Sequence, residues 1–244
     1  MLLRWARKRR CHKHRRFRFD GTRRTLRDPV SPVKMSGVAS IAVQLATSER
    51  WDALADFFQR PGPRGGTPFT AGCWCQYWHL RGRAFEDGWG ETHRGRLEEQ
   101  VRGGEAPGLL AYLDGETVGW CRLGPRESFE RLEHSTALAR VDDEDVWSLV
   151  CFAVHVSARR RGVAGALIEA AASHAAARDA TLLEAYPVRA GHHVIDSFTG
   201  YLPMFLAAGF EPVREAGRRT IVRRRLGGQP GGVGLSAPPV SSST

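Results

Sequence analysis

The sequence predicts a mixed α/β chain with a parallel strand pair at its centre, and three observations carry that prediction. Residues 146–156, VWSLVCFAVHV, are dominated by Val, Leu, Phe, Cys and Trp, which suits a strand covered on both faces. After a small basic turn, Ser157 to Arg161, the chain places Val163, Leu167, Ala170 and His174 on one face at helical spacing, with one Gly and no Pro to interrupt the run. Asp179 then marks a turn, and Thr181 to Tyr186 is a second apolar strand. Strand, helix and strand in this order make a right-handed crossover between parallel neighbours.

The remaining elements follow in chain order. Ile41 to Leu45 reads as a strand. Ser48 to Gln59 reads as a helix, with Ser48 as its cap, Trp51, Leu54, Phe57 and Phe58 on its apolar face, and Pro61-Gly62-Pro63 as its stop. Gly65 and Gly66 keep the next segment loose. Thr92 to Val101 is a second helix, capped by Thr92, with Leu97 and Val101 inward and Gly103-Gly104 at its end. Gly108 to Leu113 and Thr117 to Leu123 form a hairpin around the Asp114-Gly115 turn, and Pro125 closes it. Ser128 to Leu138 is a short helix or loop. Asp142 to Asp145 are four consecutive acids; a solvated loop is favoured over attraction of a cationic amine. Phe198 to Ala208 reads as a helix with Leu202, Phe205 and Leu206 inward, then Gly209-Phe210 and a strand from Arg219 to Leu226.

Composition bounds the function. Hydrophobic residues make up 42% of the chain, enough for a real core, and no apolar run approaches the ~18 residues of a membrane span. The net charge of +10 is local: residues 1–34 hold ten Arg and three Lys against two Asp, a balance of +11, so residues 35–244 sum to −1. A nucleic-acid role for the whole protein fails on that arithmetic. Residues 1–34 are expected to be disordered, because their arginines repel one another. They read as a nucleic-acid or anionic-surface arm with Trp5, Phe17 and Phe19 stacking on bases, as a Ser-poor transit peptide, or as untranslated sequence upstream of Met35. The last is favoured. Residues 227–244, rich in Gly, Pro and Ser, read as a disordered tail. Arg4 interrupts the only N-terminal apolar stretch, so a signal peptide is not expected; the five Cys then suit free thiols in a reducing cytoplasm.

Gly72-Cys73-Trp74-Cys75-Gln76-Tyr77-Trp78-His79 packs aromatics and thiols outside any regular pattern, as a pocket wall or buried loop would. Cys73, Cys75 and His79 fit no usual zinc spacing, a Cys73–Cys75 disulfide would be strained, and adjacent His192 and His193 point apart. No metal is expected.

The turn before the central helix suggests phosphate chemistry. The first amides of a helix lack intrahelical partners and carry positive potential. Gly162, Ala164 and Gly165 let an anion approach the backbone, while Arg159, Arg160 and Arg161 add charge. Neither a Rossmann fingerprint nor a Walker loop is present here. The run Arg159-Arg160-Arg161-Gly162-Val163-Ala164 resembles the [QR]-x-x-G-x-[GA] signature of the GCN5-related N-acetyltransferase (GNAT) superfamily, and the helix-Gly-Phe ending at Gly209-Phe210 is similar as well. The Cys-Trp-Cys run resembles a bacterial group of that superfamily.

The resemblance implies an acyl-CoA N-acyltransferase fold over residues 35–226: a mixed, mostly antiparallel twisted sheet with flanking helices, whose central parallel strands splay apart. It implies acetyl-CoA as co-substrate, held by the backbone of Phe152, Ala153 and Val154 and by Arg159 through Gly165. It implies a small-molecule or peptide amine as acceptor, walled by Trp74, Tyr77 and Trp78, with core packing an equal reading for each. Ser148 stands where histone-type members carry a glutamate base, and Phe205 where many carry a tyrosine acid. Tyr201, one turn earlier, is the candidate acid; Glu184 is expected to face the acceptor amine; Tyr186, Glu184 and water relays to the carboxylates of Glu184 or Asp145 are further candidates. A cytoplasmic monomer or homodimer without membrane or nucleic-acid partners is expected, residues 1–34 aside. Two other classes stay open: an acyl-CoA-binding regulator without catalysis, and a nucleic-acid- or ribosome-associated protein using the basic leader.

Overall fold

A computed structural model describes residues 41–61, 72–189 and 194–227, without the side chains of 194–196. The expectations for residues 1–34, the start at Met35, the loop at Gly65-Gly66, the pair His192-His193 and the tail beyond Gly227 lie outside the described residues.

Seven strands form one sheet: β1 (Ile41–Leu45), β2 (Gly108–Leu113), β3 (Glu116–Pro125), β4 (Trp147–Val154), β5 (Leu182–Ala185), β6 (Glu211–Ala216) and β7 (Arg219–Arg225). Their order is β1-β2-β3-β4-β5-β7-β6, antiparallel except for β4 beside β5. Among the described residues six α-helices accompany them: α1 (Trp51–Gln59), α2 (Gly82–Glu86), α3 (Glu91–Arg102), α4 (Glu130–Glu133), α5 (Val163–Ala176) and α6 (Leu202–Ala207). The sheet is covered on both faces. Leu167, Ile168 and Ala171 of α5 and Phe205 of α6 pack with Leu109, Ala111, Leu149 and Val222 on one face. Trp51, Leu54 and Phe58 of α1 and Leu97 of α3 pack with Leu110 and Trp120 on the other. Fully burying each of the Leu, Ile, Val and Phe side chains among them contributes roughly 1.5–3 kcal/mol.

The crossover is as expected: buried β4, a helix from Val163, then β5 in parallel register with Trp147 opposite Leu183, Ser148 opposite Glu184 and Leu149 opposite Ala185. In the β2–β3 hairpin both turn residues take positive φ, Asp114 at 52° and Gly115 at 84°, as a two-residue primed turn requires.

Several local expectations are corrected. Ser48 opens a 3-10 turn that ends at Arg50, α1 starts only at Trp51, and no side chain caps it. Thr92 is the second residue of α3, whose N-cap is Gly90 at φ 84°. The helix expected over Phe198–Ala208 is broken at Gly200, where φ is +81°. Pro203 sits in the first turn of the shorter α6, where a missing N–H costs nothing. Leu206 consequently points out and is 44% exposed, while Phe205 is fully buried. The edge strand β6, EPVREA, carried no strand signal because it is exposed and contains Pro, both tolerated at a sheet edge.

Candidate active site

The helix N-terminus expected to bind an anion is built as a cradle. Gly162 is the N-cap of α5 at φ 84°, in the left-handed region, and Arg160 precedes it at φ 60°. This bend aims the first amides of α5 outward. Ala166 donates to Gly162 O at 3.0 Å, so the intrahelical ladder begins there and the amides of Val163, Ala164 and Gly165 have no intrahelical acceptor. A Cβ on Gly165 would meet nothing within 4 Å, so the approach to these amides is open. Close packing fixes the cradle to the sheet: a Cβ on Gly119 of β3 would lie 2.8 Å from Val163 Cγ1. Arg159 and Arg160 are exposed, and Arg161 stands 3.9 Å from the Asp114 carboxylate. These unpaired amides and the arginines before them leave room and positive charge for an anion.

Upstream of the cradle the central strands part. β5 stops at Ala185, opposite Leu149, so β4 has no strand partner on that side from Val150 to Val154. At the same place β4 carries a bulge: Leu123 of β3 pairs with Leu149 and Arg122 with Cys151, leaving Val150 without a partner. The extra residue turns Val150 and Cys151 toward the same side, away from the α5 face on which Leu149 and Phe152 sit. Phe152 packs edge-on against Phe205, with ring centroids 5.7 Å apart, whereas Ala153 and Val154 are half-buried.

Just below the split lies a buried polar network. Glu184 is 1% exposed and both its oxygens are engaged. Its Oε1 accepts from Arg126 Nη1 at 2.8 Å and from the Tyr186 hydroxyl at 2.6 Å, and its Oε2 accepts from Arg223 Nε at 2.7 Å. Burial first, and then the Glu184 carboxylate, holds the Tyr186 phenol well above its ordinary pKa. The phenol proton is given to Glu184, so the buried Ser148 hydroxyl, 2.8 Å away, donates to Tyr186 in turn. Arg126 also grips Glu133 at 2.6 Å, and Arg223 grips Asp142 at 2.6 Å. The acidic run is solvent-exposed, as the favoured expectation has it, but Asp142 also anchors it to Arg223; Glu144 pairs with Arg225 at 3.5 Å. Sequence reasoning missed Arg126 and Arg223; each stood among many arginines with nothing local to mark it.

The three aromatic residues expected to wall the acceptor are separated by the structure. Trp74 is core: it is 4% exposed, stacks on Phe58 at 5.3 Å and on Trp51 at 6.2 Å, and takes φ 45° to do so. Tyr77 and Trp78 lie on the Val150 side of the split, with Trp78 beside Tyr186 at 6.3 Å and both rings against Phe198. Arg131 sits over the Tyr77 ring at 4.2 Å. Tyr201 is 39% exposed at the N-cap of α6 and is bridged to Val188, three residues beyond β5. Ser148 and Glu184 are thus joined through Tyr186, and Tyr201 stands apart from them. Asp145 is exposed. Cys73, Cys75, Cys121 and Cys151 are all free thiols, and among the described residues no group of three His, Cys, Asp or Glu could hold a metal. Among them, no helix is long and apolar enough to cross a membrane.

Together, a sheet whose parallel strands part at a bulge and the open N-terminus of the following helix make up the architecture of the acyl-CoA N-acyltransferase fold. A model of the Acetyltransferase (GNAT) family matches residues 74–198, about half the chain. The chain belongs to the GNAT acetyltransferase family. No curated protein matches it. Among solved structures it is similar to PaiA N-acetyltransferase from Thermoplasma acidophilum in complex with coenzyme A, at 12% identity and TM-score 0.45 over 76% of this chain and 99% of that one. It is also similar to the GNAT domain of S. lividans PAT, at 17% identity and TM-score 0.45 over 75% and 89%. A third is polyamine N-acetyltransferase from Drosophila melanogaster, at 13% identity and TM-score 0.47 over 77% and 100%.

Proposed function

We propose that this protein transfers an acetyl group from acetyl-CoA to the amine of a small molecule or peptide. The observation that supports this most is the parting of β4 from β5 at Leu149, directly upstream of an open helix N-terminus. The amides of Val163, Ala164 and Gly165, with Arg159 to Gly162, would hold the pyrophosphate. The unpaired edge of β4 from Val150 to Val154 would hold the pantetheine arm through Phe152, Ala153 and Val154. The thioester is reactive enough that positioning supplies much of the rate. Free amides at the split are suited to a developing oxyanion.

Within this reading Tyr201 is the general acid for the departing thiolate, because it is the exposed phenol nearest the open end of β5. Glu184 and Ser148 act as positioning residues: their buried hydrogen bonds hold Tyr186 and the closed end of the strand pair. The acceptor enters from the side of Tyr77 and Trp78, and water carries its proton away. Trp74 supports that wall from the core.

The test is coenzyme release from acetyl-CoA across a panel of polyamines, aminoglycosides, lysine peptides and free peptide N-termini. Amine-dependent release is expected, with Tyr201→Phe lowering turnover at least tenfold and leaving coenzyme A affinity within about twofold. Tight coenzyme binding without turnover on any amine would favour a non-catalytic acyl-CoA sensor, the reading to which Phe205 in the acid position lends weight. Absence of coenzyme binding would overturn both.

A further inference from the structure

We infer a second binding site, for a small monocarboxylate, in the cleft beside Arg122. Arg122 of β3 is 1% exposed. Its Nη2 donates to Gln100 Oε1 at 2.9 Å, but its Nε and Nη1 have no hydrogen-bond partner among the described residues. No carboxylate among them forms an ion pair with it. A buried guanidinium with no ion-paired carboxylate is among the costliest arrangements a fold can hold. Beside it opens a cleft of about 140 Å³, lined also by His79, Glu105, Ser128, Trp147 and Arg178. His79 Nε2 is likewise buried without a partner. Burial first, and then the Arg122 charge, keeps that imidazole neutral, with its pKa pushed down to about 3, so it can donate one hydrogen bond without adding charge.

Size and charge choose the ligand. At roughly 30 Å³ per water, the cleft holds about four or five waters, the room of a two- to four-carbon acid and far less than a nucleotide needs. Arg122 and Arg178 against Glu105 leave one net positive charge, which one carboxylate neutralises; a doubly charged phosphate would meet the Glu105 carboxylate. The cleft is remote from the coenzyme cradle. Trp147 begins β4 and Arg178 follows the end of α5, whereas the cradle lies after β4 and before α5. At ~3.3 Å per residue the eight residues of β4 separate the cleft from the pyrophosphate amides by about 23 Å, so the carboxylate does not compete for those amides. The other anion available to Arg122 is a thiolate on Cys75, whose pKa, despite its burial, is lowered by a hydrogen bond from Cys151 and by the Arg122 charge. The experiment separates the two.

The full chain is titrated with sodium acetate against sodium chloride at fixed ionic strength, following melting temperature and coenzyme A affinity. The expected result is a saturable rise of at least about 2 °C specific to acetate, with coenzyme affinity unchanged. Arg122→Met, an apolar replacement that buried cations tolerate, is expected to fold, bind coenzyme A and lose the acetate response. Arg178→Ala, on the exposed side, is expected to weaken the response about three- to tenfold; if Arg122→Met fails to fold, this variant carries the test. An equal shift with chloride, no shift at all, or an acetate response in the variants equal to the parent's overturns the site. Coenzyme binding is read separately, so failure here leaves the acetyltransferase reading standing.

Discussion

Gly165→Glu separates the cradle's function from its fold, because the two are expected to move in opposite directions. Gly165 is the third residue of α5, exposed, with ordinary helical φ, and a Cβ there meets nothing within 4 Å. Glycine inside a helix costs about 1 kcal/mol relative to Ala, and Glu recovers roughly half of that. An acid in the first turn adds about 0.3–1 kcal/mol through the helix dipole. The variant should therefore be about 1 kcal/mol more stable, a rise of roughly 2–4 °C for a domain of this size. The same carboxylate would repel a pyrophosphate held at these amides, as like charges ~5 Å apart do. Coulomb repulsion at an effective dielectric of about 20 is near 3 kcal/mol, and exposure and salt reduce it to about 1.5–3. Coenzyme A affinity should fall about ten- to a hundredfold. Thermal denaturation and calorimetric titration on the same preparation read both effects. A protein that melts higher yet binds coenzyme A within threefold of the parent would refute the argument, since it would put the pyrophosphate somewhere other than these amides.

Two further predictions test the parts around the cradle. Glu184→Gln removes the charge shared by Arg126 and Arg223, leaving two guanidiniums with reduced compensation below the strand split; a loss of about 3–5 kcal/mol in urea denaturation is expected, and less than 1 kcal/mol would mean that the network is not structural. His79 predicts a pH slope. Its folded pKa is depressed to about 3 from 6.5, so between those values the unfolded chain binds a proton that the folded chain refuses. Stability is complete above pH 6.5 and is lost as pH falls, by about 1.4 kcal/mol per unit. His93 and His174 are depressed as well, so the diagnostic quantity is the difference between the parent and His79→Phe from pH 6.5 to 5, which should grow by about 2 kcal/mol. Parallel curves would show that His79 is solvated.

What could be read from the sequence was whatever is local and periodic. The central strand, the turn and α5 announced themselves because burial on both faces, a Gly at the bend and helical spacing all fall within about thirty residues. The Asp114-Gly115 hairpin was legible for the same reason. The features that decide chemistry are not local. The bulge at Val150 depends on how β3 registers against β4, and no single strand encodes its own register. Arg126, Glu184 and Arg223 are separated by 58 and 39 residues along the chain, and only folding shows that one carboxylate serves both cations. The Cys-Trp-Cys run was the converse case, a conspicuous motif whose members part company in space. Trp74 turns into the α1 core while Tyr77 and Trp78 stay at the split, because the positive φ at Trp74 and Cys75 reverses the chain between them. Composition could not have revealed that reversal, since non-glycine residues adopt it only when the surrounding packing compensates. The position of Tyr77 and Trp78 at the split is therefore set by a strained two-residue bend, and relaxing it would displace both without touching either ring.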